Sequence, residues 1–349
     1  MKRFSILIAA LCLCLTGCGK QTTEATAQIF AMDTVMEDAA YGEHAEQAEK
    51  YTEKRIEELE NRLSRTKAHS LVSGLNRDGS IRHLTYDYWN LIARAKEYRD
   101  ATNGAFDITI APIMDAWGFT GDQFRVPEQS ELNELLKHVN SDEIQIQEEP
   151  SYSVTLGEGQ AIDLGGIAKG YTSDLVEQTF RANGIESGKI SLGGNVFVLG
   201  GKPDGSDWRV GIKDPRNESG LAAILSLRDA YAITSGGYER YFEENGKTYH
   251  HIIDPSTGYP ADSGLLSVTV VAADNGPDWA GAGNGAMCDA FSTALFVMGE
   301  EQALDFWRNG GYDFDLVLVT EDGRVVITAG LADRFEEVKD SGYTYETVS

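Results

Sequence analysis

Basic residues are scarce in this 349-residue chain: 30 lysines and arginines stand against 55 aspartates and glutamates, giving a net charge of −25. So acidic a surface repels polyanions, which excludes nucleic acid as a partner and favours a divalent cation as helper for any phosphate-bearing substrate. Cysteine is also scarce, with four residues, of which Cys12 and Cys14 fall in an N-terminal apolar run. Only Cys18 and Cys288 remain, too few for a disulfide framework within a domain. Only 8 prolines occur, and there is no Pro/Ser-rich linker, low-complexity tract or internal repeat. The length permits two domains, but nothing divides the chain, and 42% hydrophobic residues can fill one large core.

What is present begins with "MKRFSILIAALCLCLTG", two basic residues followed by an apolar run too short to span a membrane and stay there. It ends in "LTGC", which resembles a bacterial lipobox with Cys18 as the lipidated residue. The expected organisation is a leader over 1–17, a polar tether over 18–28 and a domain over 29–349. The domain would then be held by lipid on the outer face of the cytoplasmic membrane.

Apolar or small residues at helical spacing through Ala48, Ile56, Leu59 and Leu63 predict a helix over 43–65, and a second helix runs from Tyr86 to a stop at Gly104. One or two edge strands are expected over 28–42. "AFDITIAPIMDAWGF" (105–119) reads as part strand and part turn, and "AIDLGGIAKGYTSD" (161–174) as a short strand turning through two glycines into a helix. Strand patterns then dominate at 189–201, 208–215, 222–236, 248–255 and 265–273. A helix over 287–298, a short one ending near Gly310 and a terminal hairpin turning at "EDGR" complete the chain. Helices and antiparallel strands in blocks predict an α+β fold: one large domain of mostly antiparallel sheet with packed helices.

Three stretches carry chemistry. In "MCDAFSTALFVMG" (287–299), Asp289 and Thr293 are four apart and share one helix face, with Ser292 beside them. Three oxygens on one face suit a hard cation such as Mg²⁺, although a first-turn carboxylate answering the helix dipole and a threonine bonded back to a carbonyl would give the same pattern. In "DLGGIAKG" (163–170), Gly165 and Gly166 allow close backbone approach, while the following helix N-terminus and Lys169 favour an anion; a tight turn with an exposed lysine is the plainer alternative. In "HHIIDPSTGYP" (250–260), His250 and His251 face opposite sides if extended, so only one can look into a site, as a base or a phosphate contact.

Taken in order, "MDT" (32–34), "LSRTKAHSLVSGLN" (63–76), "GAFDITIAPIMDAWGF" (104–119), "IDLGGIAKGYTSD" (162–174), "SLGGN" (191–195), "WRVGIKDP" (208–215), "TSGGYERYF" (234–242), "HIIDPSTGYP" (251–260) and "DAFSTALFVMG" (289–299) resemble the ApbE-type family of FAD:protein FMN transferases. The resemblance implies Mg²⁺-dependent cleavage of the FAD pyrophosphate, with FAD as substrate. FMN is attached through a phosphoester to a threonine or serine of a partner, typically a flavoprotein subunit of a membrane electron-transfer complex of the Rnf or Nqr kind, and AMP is released. It further implies Asp289, Thr293 and Gly166 as metal ligands with Ser292 as a neighbour. Met32, Ala105, Phe106, Asp107, Asp163, Lys169 and Ile253 would line the FAD site, and His251 would face the phosphates. Either His251 or Asp289 could take the proton of the acceptor hydroxyl. The glycine usual in the first motif is Asp33 here. The rival functions are an FAD pyrophosphatase that uses water as acceptor, and a flavin-binding lipoprotein without catalysis.

Overall fold

A computed structural model describes residues 23–121, 123–274 and 283–349. The expected leader 1–17 and Cys18, and residues 275–282, lie outside the described residues.

The main sheet has nine strands among the described residues, and their order across the sheet is their order in the chain: β1 (Glu24–Ala31), β2 (Thr34–Tyr41), β3 (Ser187–Leu192), β4 (Asn195–Leu199), β5 (Ala230–Gly236), β6 (Leu265–Ala273), β7 (Asp315–Thr320), β8 (Arg324–Thr328) and β9 (Thr344–Val348). Every neighbouring pair is antiparallel except β8 and β9. The expected terminal hairpin is therefore β7–β8, but it is not the end of the sheet: β9 follows and pairs parallel to β8. Strand β1 starts at Glu24, so the last five residues of the expected 18–28 tether belong to the sheet.

Side chains alternate between two cores, as a pleated strand requires. From β7, Leu316 and Leu318 enter a core shared with helices, while Val317 and Val319 enter a second core on the opposite face. Helices α1 (Ala45–Leu63), α2 (Leu71–Asp78), α3 (Tyr86–Ala101), α6 (Ala168–Ala182) and α7 (Asn284–Asn309) supply the first core. The second core is closed by a small sheet in which Asn217–Leu227 lies between Trp208–Asp214 and Phe335–Glu337.

Two short helices, α4 (Ala111–Trp117) and α5 (Gln129–Leu135), form a satellite cluster through Ile113, Trp117 and Leu132 with Phe119 and Ile253. Here the sequence misleads. The β-branched run Ile108–Ile110 resembles a strand, but it is a 3₁₀ turn opening on the Asp107 side chain, which accepts the Thr109 N–H at 2.8 Å. Pro112 sits in the first turn of α4, where its missing N–H costs nothing. Residues 161–164 likewise form no strand. The Asn76 side chain bonds both the N–H and the carbonyl of Ile162, and the Asp163 N–H donates to Ile108 O at 2.7 Å. The α7 run is broken at Gly299, whose φ of 79° and ψ of 172° split it into the two helices the sequence suggests.

Candidate active site

The site forms where α6 and α7 cross beneath the ends of β4 and β5. Their contact is backbone on backbone. A Cβ on Gly170 would lie 2.1 Å from Gly285 O and 2.6 Å from Asp289 Cβ, and a Cβ on Gly285 would lie 2.5 Å from Gly170 O. Only glycine at both positions allows this approach.

Asp289 stands on α7 at this crossing and is 3% exposed. It is more than one turn inside a helix that has no acid in its first turn, so the dipole-cap reading of this residue does not hold. The cap is Asp174 of α6. Its Oδ1 accepts the N–H of Gly285 at 2.8 Å, and its Oδ2 accepts those of Gly283 and Ala286 at 3.0 Å each, three of the otherwise unbonded donors at the start of α7. Burial nonetheless pushes the Asp174 carboxyl up to about 7.

Asp289 draws its donors from α6 and the "SLGGN" turn and caps no helix. Its Oδ2 accepts the Gly170 N–H at 2.8 Å. Burial raises its pKa, opposed by the Lys169 charge, by that N–H and by the Asn195 amide from the "SLGGN" turn. One turn on, Thr293 does not bond back to the helix. Its hydroxyl meets Ser235 Oγ of β5 at 3.2 Å and lies 3.5 Å from the point where a Gly166 Cβ would be. Ser292 makes the back-bond instead, donating to Asp289 O at 2.9 Å, and also contacts Ser235 Oγ at 2.8 Å. Asp289, Thr293 and Gly166 are thus brought to one place, while the Ser292 hydroxyl is engaged beside it.

The glycine turn is held from outside by Asp163, whose Oδ1 accepts the Gly165 N–H at 2.8 Å and whose Oδ2 pairs with Arg65 at 3.3 Å. Arg65 also bonds Thr120 and Asp115, tying the turn to α4. The Phe106 ring covers Gly166, 3.2 Å from its would-be Cβ. Met32 reaches the same end of α6, with its Sδ 3.8 Å from Thr172 Oγ1. Met32 and Asp33 have φ values of 50° and 60° in the two-residue turn between β1 and β2, so Asp33 adopts the left-handed conformation that glycine would take more readily.

His251 is half-buried, and its Nδ1 lies 3.1 Å from the Arg240 carbonyl, which can only accept. Nδ1 therefore carries the hydrogen and Nε2 keeps its lone pair. Burial lowers its pKa to about 4, aided by the Lys169 charge, so the ring is neutral at physiological pH. His250 turns the other way, onto the Phe296 ring with Nε2 3.1 Å from Ala261 O, as the alternation of an extended segment requires. Ile253 is buried and pairs with Pro260, which fixes the loop that carries His251.

Asp107, expected to line the FAD site, is tied into the fold behind Phe106. Its carboxylate binds Thr109 Oγ1 at 2.6 Å and Ser141 Oγ at 2.5 Å, and Arg99 lies 3.6 Å away. These bonds lock the segment that presents Ala105 and Phe106. Sequence reasoning missed Asp174, Asn195, Ser235 and Arg65 as organisers of the site, although all four lie in the motifs quoted above.

The sequence profile of the ApbE family matches residues 30–316. The chain belongs to the ApbE family. An FAD:protein FMN transferase of Klebsiella pneumoniae (strain 342) is 34% identical over 294 residues, which cover 82% of this chain and 86% of the relative. The FAD:protein FMN transferase of Treponema pallidum (strain Nichols) is 31% identical over 307 residues, 83% of this chain and 82% of the relative. The crystal structure of an ApbE protein from Thermotoga maritima has a TM-score of 0.78 at 30% identity, covering 91% of this chain and 97% of that one. The expected α+β single-domain architecture is the ApbE fold, and the chain is a member of a family of enzymes.

Proposed function

We propose that this ApbE-family chain transfers FMN from FAD to a threonine or serine of a partner flavoprotein, releasing AMP, with Mg²⁺ bound at Asp289, Thr293 and Gly166. The observation that carries the reading is the place of Asp289: buried, inside α7 and not at its end, relieved of the capping role by Asp174, and set with Thr293 against the Gly165–Gly166 turn.

The donor set suits this ion. One carboxylate with a hydroxyl and a backbone carbonyl leaves coordination positions for water and phosphate oxygens, the usual way Mg²⁺ is held. Among the described residues no cluster of three His, Cys, Asp or Glu side chains offers the closed site that zinc prefers. When bound, the ion would neutralise negative charge on the pyrophosphate. The chain's own groups do the rest. Lys169 adds a positive charge at the start of α6, and Phe106 shields the glycine turn. The neutral His251, with Nε2 free, accepts the acceptor's hydroxyl proton as the oxygen bonds to the FMN phosphorus and the bond from that phosphorus to AMP breaks. A deprotonated, metal-bound Asp289 is no longer available as the base, which favours His251 for that role.

The test incubates the protein with FAD, Mg²⁺ and the flavoprotein subunit of a membrane electron-transfer complex, and reads fluorescent flavin on the acceptor in a denaturing gel. Transfer by the wild type and its collapse in Asp289→Asn with the melting temperature nearly unchanged are expected. Release of free FMN without labelling would favour the pyrophosphatase. Unchanged FAD in every arm would favour a flavin-binding protein. We further propose that Cys18 is lipidated and holds the domain at the outer face of the cytoplasmic membrane. Labelled fatty acid should enter the wild type and not Cys18→Ser.

A further inference from the structure

A second group of buried acids lies away from this site, where α1 packs on β2. Met36, Asp38 and Ala40 alternate onto the inward face of β2, and Asp38 is 2% exposed. The inward stripe of α1 runs Ala45, Ala48, Ile56, Leu59 and Leu63, but is interrupted by Glu49, 6% exposed, and Thr52, 0% exposed. Two carboxyls and a hydroxyl therefore meet inside an apolar layer. Among the described residues, none of the four carboxylate oxygens makes a well-formed hydrogen bond, and neither does Thr52 Oγ1. The threonine is informative by contrast with Thr172 and Thr179 of α6, which bond to the carbonyls four residues back at 2.7 and 2.8 Å. Thr52 leaves that bond unmade and, one turn from Glu49, shares its face toward β2.

We propose that Asp38, Glu49 and Thr52 form a buried site for a hard divalent cation, separate from Asp289. Five oxygens without a well-formed hydrogen bond in an apolar layer are costly unless something positive satisfies them. Among the described residues no basic side chain is seen to do so. The charges acting on the pair are acidic, Glu53 on Asp38 and Asp38 on Glu49, and the Ala40 N–H gives Glu49 only a minor relief. Two carboxylates neutralise a divalent ion, and carboxylate with hydroxyl oxygen is the chemistry that Ca²⁺, Mg²⁺ and Mn²⁺ prefer. Glu53 is exposed one turn along α1 and acts electrostatically on Asp38, so it marks the solvent side by which an ion enters. The ion would join α1 to β2 near the edge of the main sheet and support the β1–β2 turn that presents Met32, because Glu60 of the same helix accepts the Met32 N–H at 3.1 Å.

The test counts Mn²⁺ bound to the whole protein at pH 8 from the loss of the free-ion EPR signal, after prior chelation. It is run in an Asp289→Asn background so that the α7 carboxylate does not contribute. Expected is one Mn²⁺ per chain, displaced by Ca²⁺ or Mg²⁺, with affinity at least tenfold weaker once Asp38→Asn and Glu49→Gln are added. Should that combination fail to fold, Thr52→Val in the same background decides, with an affinity loss of a few-fold expected. No stoichiometric Mn²⁺ in Asp289→Asn overturns the proposal, as does an affinity unchanged in the triple variant or in Thr52→Val. The two carboxyls would then be an uncharged pair that holds protons and no metal.

Discussion

Gly170→Ala tests whether the helix crossing sets the catalytic geometry. Alanine is the better helix former by about 1 kcal/mol, so the substitution would stabilise α6 if its surroundings were open. They are not: the new methyl would stand 2.1 Å from Gly285 O and 2.6 Å from Asp289 Cβ. Ordinary contacts start near 3.0 Å, so α7 must retreat by roughly 1 Å, and no rotamer change can relieve a clash with a carbonyl oxygen. Overpacking of this kind costs about 1–3 kcal/mol and more where backbone must move, which outweighs the propensity gain. A net loss of about 1–2 kcal/mol lowers the melting temperature of a chain this size by only a few degrees. Activity should suffer far more, because the same displacement carries Asp289 and Thr293 away from Gly166, and a misplacement of about 1 Å can cost about 100-fold in rate. Thermal melts and FMN-transfer rates on one preparation check both parts. Gly74→Ala in α2 is the control: its Cβ would meet only Arg77 Nη2 at 3.9 Å, so it should stabilise slightly and leave transfer intact. A Gly170→Ala protein with a raised melting temperature and wild-type transfer would refute the reasoning.

Removing the hydroxyl in Ser235→Ala frees both Ser292 and Thr293; transfer should fall about 10-fold or more with a higher half-saturating Mg²⁺ concentration, measured in a metal titration. His251 should stay neutral well below the ordinary histidine value, so the acid limb of transfer rate against pH should lie below pH 6.5 and His251→Asn should be slow at every pH. The buried pair gives a stability slope of the opposite sense to that of an ordinary salt-bridged acid. Burial pushes Asp38 up to about 7 and Glu49 up to about 8, so the folded chain holds protons that the unfolded chain, near 3.8 and 4.5, has already released. Stability contributed by the protonated pair is therefore complete below about pH 4 and lost as pH climbs toward 8, by an amount on the order of a few kcal/mol. Denaturant melts from pH 5 to 8 without metal should show this decline, and Asp38→Asn with Glu49→Gln should flatten it.

Much of the architecture was legible because burial imposes a period. The two-core alternation of Leu316, Val317, Leu318 and Val319 and the α1 stripe through Ile56, Leu59 and Leu63 are one-dimensional signals of which face meets a core. The errors fall where local chemistry overrides that period. Ile108, Thr109 and Ile110 have strand composition, yet the Asp107 cap and Pro112 start helical turns there. Residues 161–164 have the strand pattern, yet their backbone partners are an Asn76 side chain and a single carbonyl, not a neighbouring strand. The parallel addition of β9 depends on a partner more than fifteen residues away, beyond the reach of a local pattern.

In the site, the Asp289–Thr293 spacing was legible, but the choice between cation ligand and helix cap was not, because that choice depends on what another helix does. Asp174 and Asp289 are both buried acids at one crossing, and both have pKa values raised by burial. They differ in their donors. Asp174 takes three N–H groups from the start of α7 and so closes that helix end, whereas Asp289 takes the Gly170 N–H across the crossing, is relieved further by the Lys169 N–H and the Asn195 amide, and faces a threonine hydroxyl held by Ser235. A carboxylate that closes a helix start is a structural clamp; one that caps no helix and stands beside a hydroxyl and a glycine turn is better placed to hold a cation. Asp174→Asn should accordingly loosen the start of α7, trading accepted N–H bonds for an amide that must turn one NH₂ toward donors, and so cost stability first. Asp289→Asn should leave the fold and remove the charge on which a cation depends. If the melting temperature falls more in Asp289→Asn than in Asp174→Asn, the two carboxylates have been assigned the wrong way round.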